Sequence, residues 1–308
     1  MIAIFRLIRI WNLLIIVLAM MGIAYFILKN NAFQKIDFSL FDYCLLILST
    51  CILCAAGTAI NDYFDIKADK INKPELLIVT KYLKKRWAIL FHLIFIAIAL
   101  VISFFLSIRY STLFYVTVNI IAISLLWYYS TFLKKKMFVG NLTIALLACC
   151  IPLLATWYFK IANESSQVFS PYNSETWSST IDFSYIYFLA LCAFVQILAR
   201  EVIKDINDME GDKAIRVYSL PMKFGVNRSS WFALILLQMP LVIGTVMFIC
   251  STIHLTNFSI GLLIGAGLIN LFIFVYSGFI KALDFKTTSI LLNLSMILPL
   301  LSLFFNYK

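Results

Sequence analysis

Charge is what this chain of 308 residues lacks most. Charged residues make up 13% of it, about half the roughly 25% usual in soluble domains. Hydrophobic residues make up 63%, and mean hydropathy is +0.96. A water-soluble globule is excluded, because its surface would lack polar cover, and so is a disordered chain. Histidine is nearly absent: His92 and His254 are the two, and neither joins a motif. The seven cysteines all lie in apolar runs. The single CxxC pair, Cys51 and Cys54, has no second pair and no histidine at zinc spacing, so the thiols read as soft packing residues. Glycine and proline number 10 and 6. They mark no pair of broken helices of the kind that forms an alternating-access site.

Long apolar runs are abundant. Nine can be marked, at about 10–28, 40–60, 87–107, 111–131, 139–159, 182–202, 230–252, 258–280 and 287–305. Each approaches the roughly 20 residues that a bilayer demands. None alternates as barrel strands do, so the spans are helices, the backbone being satisfied within each. The chain is therefore expected to be all-α, a multi-pass membrane protein with nine transmembrane helices in one domain, 1–308. The first run lacks a cleavage pattern and is too long for a signal h-region, so it reads as a retained span. With the N-terminus inside, 20 of the 25 Lys and Arg fall in inside segments. The positive-inside rule then places the N-terminus in the cytosol and the C-terminus outside a cell membrane. It also accounts for the net charge of +10 without nucleic acid. Two inside loops are long, about 61–86 and 203–229. One outside loop, about 160–181, is Ser-rich and reads as a solvated connector.

Acid is concentrated where basic residues are expected. Nine of the 15 Asp and Glu lie in or beside the two long inside loops. Asp62, Asp65 and Asp69 repeat the spacing of Asp205, Asp208 and Asp212. Both sets read D-x-x-D-x-x-x-D, which places three carboxylates on one face of a continuous helix. Such a stripe repels itself unless a cation sits in it. Carboxylates without His or Cys suit a hard, oxygen-seeking ion, and Mg²⁺ is expected. Asp62, Asp65 and Asp69 would hold one Mg²⁺, and Asp205, Asp208 and Asp212 another. Lys67, Lys70 and Lys73 interleave the first set; Arg200, Lys204, Lys213 and Arg216 accompany the second. Acid for metal beside base for phosphate is the composition of a Mg²⁺–diphosphate site. Beneath nine apolar helices, its substrate would carry a lipid tail. Ionisation of an allylic diphosphate would give a cation that needs a dry, π-rich pocket.

The stretches NDYFDIKAD (Asn61 to Asp69) and REVIKDINDMEGD (Arg200 to Asp212), the latter followed by Ser219, Leu220 and Pro221, resemble the two aspartate-rich motifs of the UbiA superfamily of intramembrane prenyltransferases. LWYYSTFLK (Leu126 to Lys134), with Gly140 and Asn141 after it, is similar to that family's Tyr/Lys segment. RIWN (Arg9 to Asn12) is similar to its first-helix start. Within the superfamily, NDYFD with DKINKP, and REVIKD with EGD, look closest to the geranylgeranylglyceryl-phosphate geranylgeranyltransferase branch. Leu76 departs from that branch, standing where a cation is expected.

The resemblance implies a UbiA-like helical bundle with a cytosolic cap over the active site. It implies a prenyl diphosphate donor and a lipid or aromatic acceptor. Asn61 would be a neutral ligand or orienter. Lys70, Lys73, Arg200 and Lys204 would contact diphosphate, and Lys134 would help the leaving group. Tyr129 would either stabilise the cation or serve in an interfacial belt. Asn12 would be a substrate contact or a helix cap. The expected reaction is O-prenylation of a prenylated glyceryl phosphate. The alternative is C-prenylation of an aromatic acceptor of quinone-precursor type, and the remote alternative is a divalent-cation transporter. No nucleic acid and no obligate protein partner is expected.

Overall fold

The computed structural model describes residues 7–30, 38–72, 74–75, 77–169, 183–250, 255–280 and 284–306. Among them, nine helices are long and apolar enough to cross a membrane, in accord with the nine runs. They are α1 (Ile10–Asn30), α2 (Leu40–Phe64), α4 (Lys85–Arg109), α5 (Phe114–Thr131), α6 (Val139–Phe169), α7 (Ser184–Asn207), α10 (Val226–Ile249), α11 (Asn257–Val275) and α12 (Phe285–Ser302). Three short α-helices lie between spans, α3 (Ile66–Asn72), α8 (Met209–Ala214) and α9 (Leu220–Phe224), with a 3₁₀ turn at Leu133–Lys135 and a π-helical turn at Tyr276–Ile280. The described residues contain no strand, only an isolated bridge between Val79 and Leu83. Most of the outside loop near 160–181 lies outside the described residues.

Local chemistry sets the helix ends. Ser39, Thr256 and Asp284 cap α2, α11 and α12, their side chains accepting from Asp42 N, Ser259 N and Thr287 N. Such caps satisfy amides that the first turn leaves without partners. Along the chain α2 packs on α4, α6 on α7, α7 on α10 and α11 on α12, while α1 touches α2, α6 and α12. Polar side chains tie the spans at depth: Asn119 Nδ2 of α5 donates to Ser49 Oγ of α2 at 2.9 Å and to Ala99 O of α4 at 3.2 Å. An interhelical bond of this kind contributes about 1 kcal/mol in a bilayer.

The two motif-bearing spans are the most buried, α2 and α7 at 56% each against 17–44% for the other seven. Large apolar side chains elsewhere face outward, among them Val101, Ile108 and Ile249, which a lipid-facing surface permits. At the N-terminal end of α2 an aromatic cluster of Tyr43, Tyr158 and Phe159 is fully buried. Tyr43 Oη donates to Met20 O at 2.6 Å, and Tyr110 Oη donates to the buried carboxylate of Asp42 at 2.9 Å. The aspartate motifs lie at the other end of that helix.

Two expectations need correction there. The loops read at 61–86 and 203–229 begin as helix: α2 runs to Phe64 and α7 to Asn207, so Asp62 and Asp205 belong to spans. Hydropathy ends a span at its first charges, but here Arg9 and Asn141 neutralise or bond those charges and let the helix continue. Nor is either aspartate stripe carried by one unbroken helix. The chain turns at the second aspartate of each set, Asp65 (φ −83°, ψ −2°) and Asp208 (φ −97°, ψ 8°). Each still donates its amide four residues back, to Asn61 O and Lys204 O, both at 2.9 Å. Beyond the turns, α3 and α8 pack against each other.

Candidate active site

The α3–α8 contact joins the two motifs. Asn72, the last residue of α3, is the clasp. Its Oδ1 accepts from Gly211 N at 2.8 Å, and its Nδ2 donates to Asp208 O at 2.9 Å. Gly211 is required by this approach, since a Cβ there would stand 2.4 Å from Asn72 Nδ2 and 2.6 Å from Ala68 O. A backbone oxygen cannot rotate away. Gly211→Ala is therefore expected to push the motifs apart, to destabilise the protein by about 1–3 kcal/mol, and to lower activity more than heat stability. Thermal melts and turnover of the same purified variant check it.

Beside the second motif lies a pocket lined by Tyr129, Lys134, Lys204, Asp205, Asp208 and Asp212. Six residues predicted from the sequence are thus brought to one cavity from α5, the segment after it, α7 and α8. The first motif meets it through Lys134. The Lys134 ammonium is ion-paired with Asp65, whose same oxygen accepts from Asn61 Nδ2 at 2.7 Å. Burial opposes the charge on Lys134, but the Asp65 carboxylate and Tyr129 together outweigh it and hold the ammonium above its ordinary value. Asp62 is bound by Arg9, Nη2 to Oδ1 at 3.0 Å. Arg9 makes this contact from the left-handed region, φ 51°, a conformation that costs a non-glycine residue about 1 kcal/mol or more. Asp205 accepts from Asn141 Nδ2 at 2.8 Å. Asn207 Nδ2 donates to Asp208 Oδ1 at 3.0 Å.

The third aspartate of each set carries charge that its surroundings do not fully compensate. Burial, then the carboxylates of Asp65 and Asp62, push Asp69 up to about 6. Burial also pushes Asp212 up to about 6; Lys134 opposes it, while Asp208 and Asp65 add to it. Among the described residues no three carboxylates converge on one point. Asn61 Oδ1 and Ser219 Oγ are buried without a hydrogen-bond partner.

Other predicted residues lie apart. Lys70 is exposed on α3. Asn12 sits half-buried in the first turn of α1, its amide donating to Arg9 O at 2.8 Å. Arg200 is half-buried on α7 and does not line the pocket. Lys73 and Leu76 lie outside the described residues, as does His254. His92 is buried far from the acids, bonded through Nδ1 to Ala56 O at 2.9 Å. Sequence reasoning assigned no role to Asn72, Asn141, Glu201 or Ser219. Glu201 and Ser219 line the pocket beside Asp205.

The whole fold has solved counterparts. One structure of digeranylgeranylglyceryl phosphate synthase superposes with a TM-score of 0.62 at 24% identity, covering 99% of this chain and 97% of that one. A UbiA homologue from Archaeoglobus fulgidus bound to DMAPP and Mg²⁺ gives 0.61 at 16% identity, covering 97% and 98%. In sequence, the digeranylgeranylglyceryl phosphate synthase of Thermococcus kodakarensis is 33% identical over 178 residues, 58% of this chain and 55% of that protein. The one from Methanosphaera stadtmanae is 27% identical over 242 residues, 78% and 77%. The matched region thus spans little more than half of the Thermococcus relative. The model of the UbiA prenyltransferase family matches residues 17–297, so the chain belongs to the UbiA prenyltransferase family.

Proposed function

We propose that the protein is a Mg²⁺-dependent intramembrane prenyltransferase. It moves a prenyl group from a prenyl diphosphate to the hydroxyl of a prenylated glyceryl phosphate. The observation that carries this reading is the clasped pair of aspartate motifs, the second lining a pocket with Lys134, Lys204 and Tyr129 and the first joined to that pocket through the Lys134–Asp65 ion pair. The names of the relatives and the ligands of the Archaeoglobus homologue support it. In this reading the whole chain, 1–308, works as one domain, and the segments after α2 and α7 form a cap over the site.

The donor set fits the metal. Six carboxylates without His or Cys suit Mg²⁺, which takes oxygen ligands and keeps positions for water and phosphate oxygens. The buried, unpartnered Asn61 Oδ1 and the excess negative charge at Asp69 and Asp212 fit it as well. Asp62, Asp65, Asp69, Asp205, Asp208 and Asp212 would hold it. Bound there, Mg²⁺ supplies the positive charge that makes diphosphate a good leaving group. Lys134 and Lys204 are ion-paired with Asp65 and Glu201 and stand ready to donate to diphosphate oxygens. Lys70, exposed on α3, and Arg200, half-buried on α7, add positive charge near the motifs; Lys73 keeps the diphosphate-contacting role that the resemblance implies. The prenyl tail lies among the spans. The Tyr129 ring, 7% exposed, faces the cation that forms as the carbon–oxygen bond breaks.

Feeding membranes that contain the protein with mixed prenyl diphosphates, then with a prenylated glyceryl phosphate and an aromatic acid in parallel, tests the acceptor. Mass spectrometry is expected to find the ether product. Prenylation of the aromatic acid alone would establish the C-prenylation reading in its place.

The basic-residue asymmetry places the motif end in the cytosol, the N-terminus with it and the C-terminus outside. A cysteine introduced at Lys213, in an otherwise cysteine-free chain, is expected to resist impermeant maleimide in intact cells and to react after lysis. Reaction in intact cells would reverse the orientation.

A further inference from the structure

Glu201 belongs to neither aspartate set, yet its side chain lines the same pocket. It stands four residues before Asp205 on α7, on the same face and about 6 Å further into the bundle. Its recorded partner is Lys204, whose Nζ lies 3.6 Å from Glu201 Oε2. That is an ion pair rather than a hydrogen bond, and among the described residues the carboxylate accepts no hydrogen bond within 3.5 Å. The side chain is 14% exposed, so it is sheltered but reachable from the pocket. Arg9, Arg200, Lys134 and Lys204 surround it electrostatically, with Tyr129 on α5 facing the same space.

That depth matters to the chemistry. If the diphosphate lies at the level of Asp205 and Asp208, the carbon it leaves lies deeper, between Tyr129 and Glu201. A hydroxyl that attacks this carbon gives a protonated ether, and its proton must go somewhere. A protonated ether is a strong acid, so the receiving group need only be an ionised carboxylate within reach. It need not be a strong base. The pocket's other carboxylates, Asp205, Asp208 and Asp212, are committed to the motif.

We propose that Glu201 is the proton acceptor of the transfer step, a catalytic residue distinct from the aspartate motifs. The bond from the prenyl carbon to the diphosphate oxygen breaks, and its electron pair leaves with diphosphate. A lone pair of the acceptor oxygen forms the new carbon–oxygen bond. The hydroxyl proton passes to a carboxylate oxygen of Glu201 and from there to water. This role rests on the prenyl-transfer reading above and deepens it.

The test uses the full-length protein in detergent micelles with Mg²⁺. Donor affinity is measured with a non-reacting prenyl thiodiphosphate, and turnover with a hydroxyl acceptor and with its thiol analogue, both at pH 9, where a substantial fraction of the thiol is thiolate and that fraction has no proton to lose. Glu201→Gln is expected to bind the donor within about twofold of wild type and to lose about a hundredfold in turnover with the hydroxyl acceptor. With the thiolate it should recover to within about tenfold of wild type. Glu201→Asp, which keeps the carboxylate, should retain more hydroxyl transfer than Glu201→Gln. Equal losses with both acceptors, or weakened donor binding, would overturn the role and leave Glu201 as a positioning residue for Lys204. If Glu201→Gln fails to fold, the ratio of thiolate to hydroxyl turnover in Glu201→Asp decides, an unchanged ratio overturning the role. A wild-type protein that transfers to no hydroxyl acceptor would overturn the underlying reading, which distinguishes that failure from this one.

Discussion

Combining Asp65→Asn with Asp208→Ala is expected to abolish prenyl transfer, with each single change costing on the order of a thousandfold. The two residues stand at equivalent places, each at the turn where a motif-bearing span gives way to its short helix. Asp65 gathers the Asn61 amide and the Lys134 ammonium on one oxygen. Asp208 is anchored through its carbonyl to Asn72, leaving the carboxylate as the part that alanine removes. Loss of a metal-holding group costs several kcal/mol of transition-state stabilisation, and about 4 kcal/mol is a thousandfold in rate. Asparagine is preferred at position 65 because alanine would leave Lys134 as an unpaired buried charge, which by itself destabilises a fold strongly. Asn61→Ala and Asp62→Ala, Asp69→Ala, Asp205→Ala or Asp212→Ala should follow in the same direction. Single-turnover rates of variants with wild-type melting curves check the expectation. Full turnover in the double variant would rule out a site shared between the motifs.

The membrane architecture was legible because hydropathy is local. Each span is a run of apolar residues, and each is recovered as a helix within about five residues of its predicted bounds, except that α6 continues to Phe169, into the stretch read as an outside loop. The aspartate spacing was also local, and it pointed to the right end of α2 and α7. What the spacing missed was the break at Asp65 and Asp208. A period of 3.6 cannot report a kink that preserves the i to i−4 hydrogen bond on either side of it. The long-range pairings were beyond reach for a different reason. Arg9 meets Asp62 and Asn141 meets Asp205 across 53 and 64 residues, and nothing in the local pattern of either partner encodes the other. Arg9 was accounted for as a topology signal, a role it can hold while also pairing with Asp62. Asn72 was hidden more completely. It is an ordinary polar residue in a basic loop until folding brings Gly211 against it. Lys70 shows another limit: its charge and place suit a phosphate contact, but its exposure on α3 depends on how that short helix packs, which the sequence does not report.

Lowering the pH from 7 to 5 is expected to stabilise the metal-free protein while sharply raising the Mg²⁺ concentration it needs. Asp69 and Asp212 sit at about 6 in the fold, against an ordinary value of 3.8. The folded state therefore binds more protons than the unfolded chain between about 4 and 6. By linkage, that stabilisation is fully present below about 4 and is lost as pH rises through 6. This is the reverse of an ion-paired surface carboxylate, and it follows from burial and from the neighbouring Asp62, Asp65 and Asp208. A metal that uses the same two oxygens must displace the same protons. Below pH 6 each carboxylate then costs up to about tenfold in apparent affinity per pH unit, and the pair up to about a hundredfold. Melting temperature should accordingly rise on acidification without Mg²⁺ and respond to Mg²⁺ mainly above pH 6. Asp212→Asn removes one titrating group, so its apparent Mg²⁺ affinity, weaker at pH 7, should show about half the pH slope. A half-saturating Mg²⁺ concentration that stays constant between pH 7 and 5 would show that neither carboxylate takes part in holding the ion.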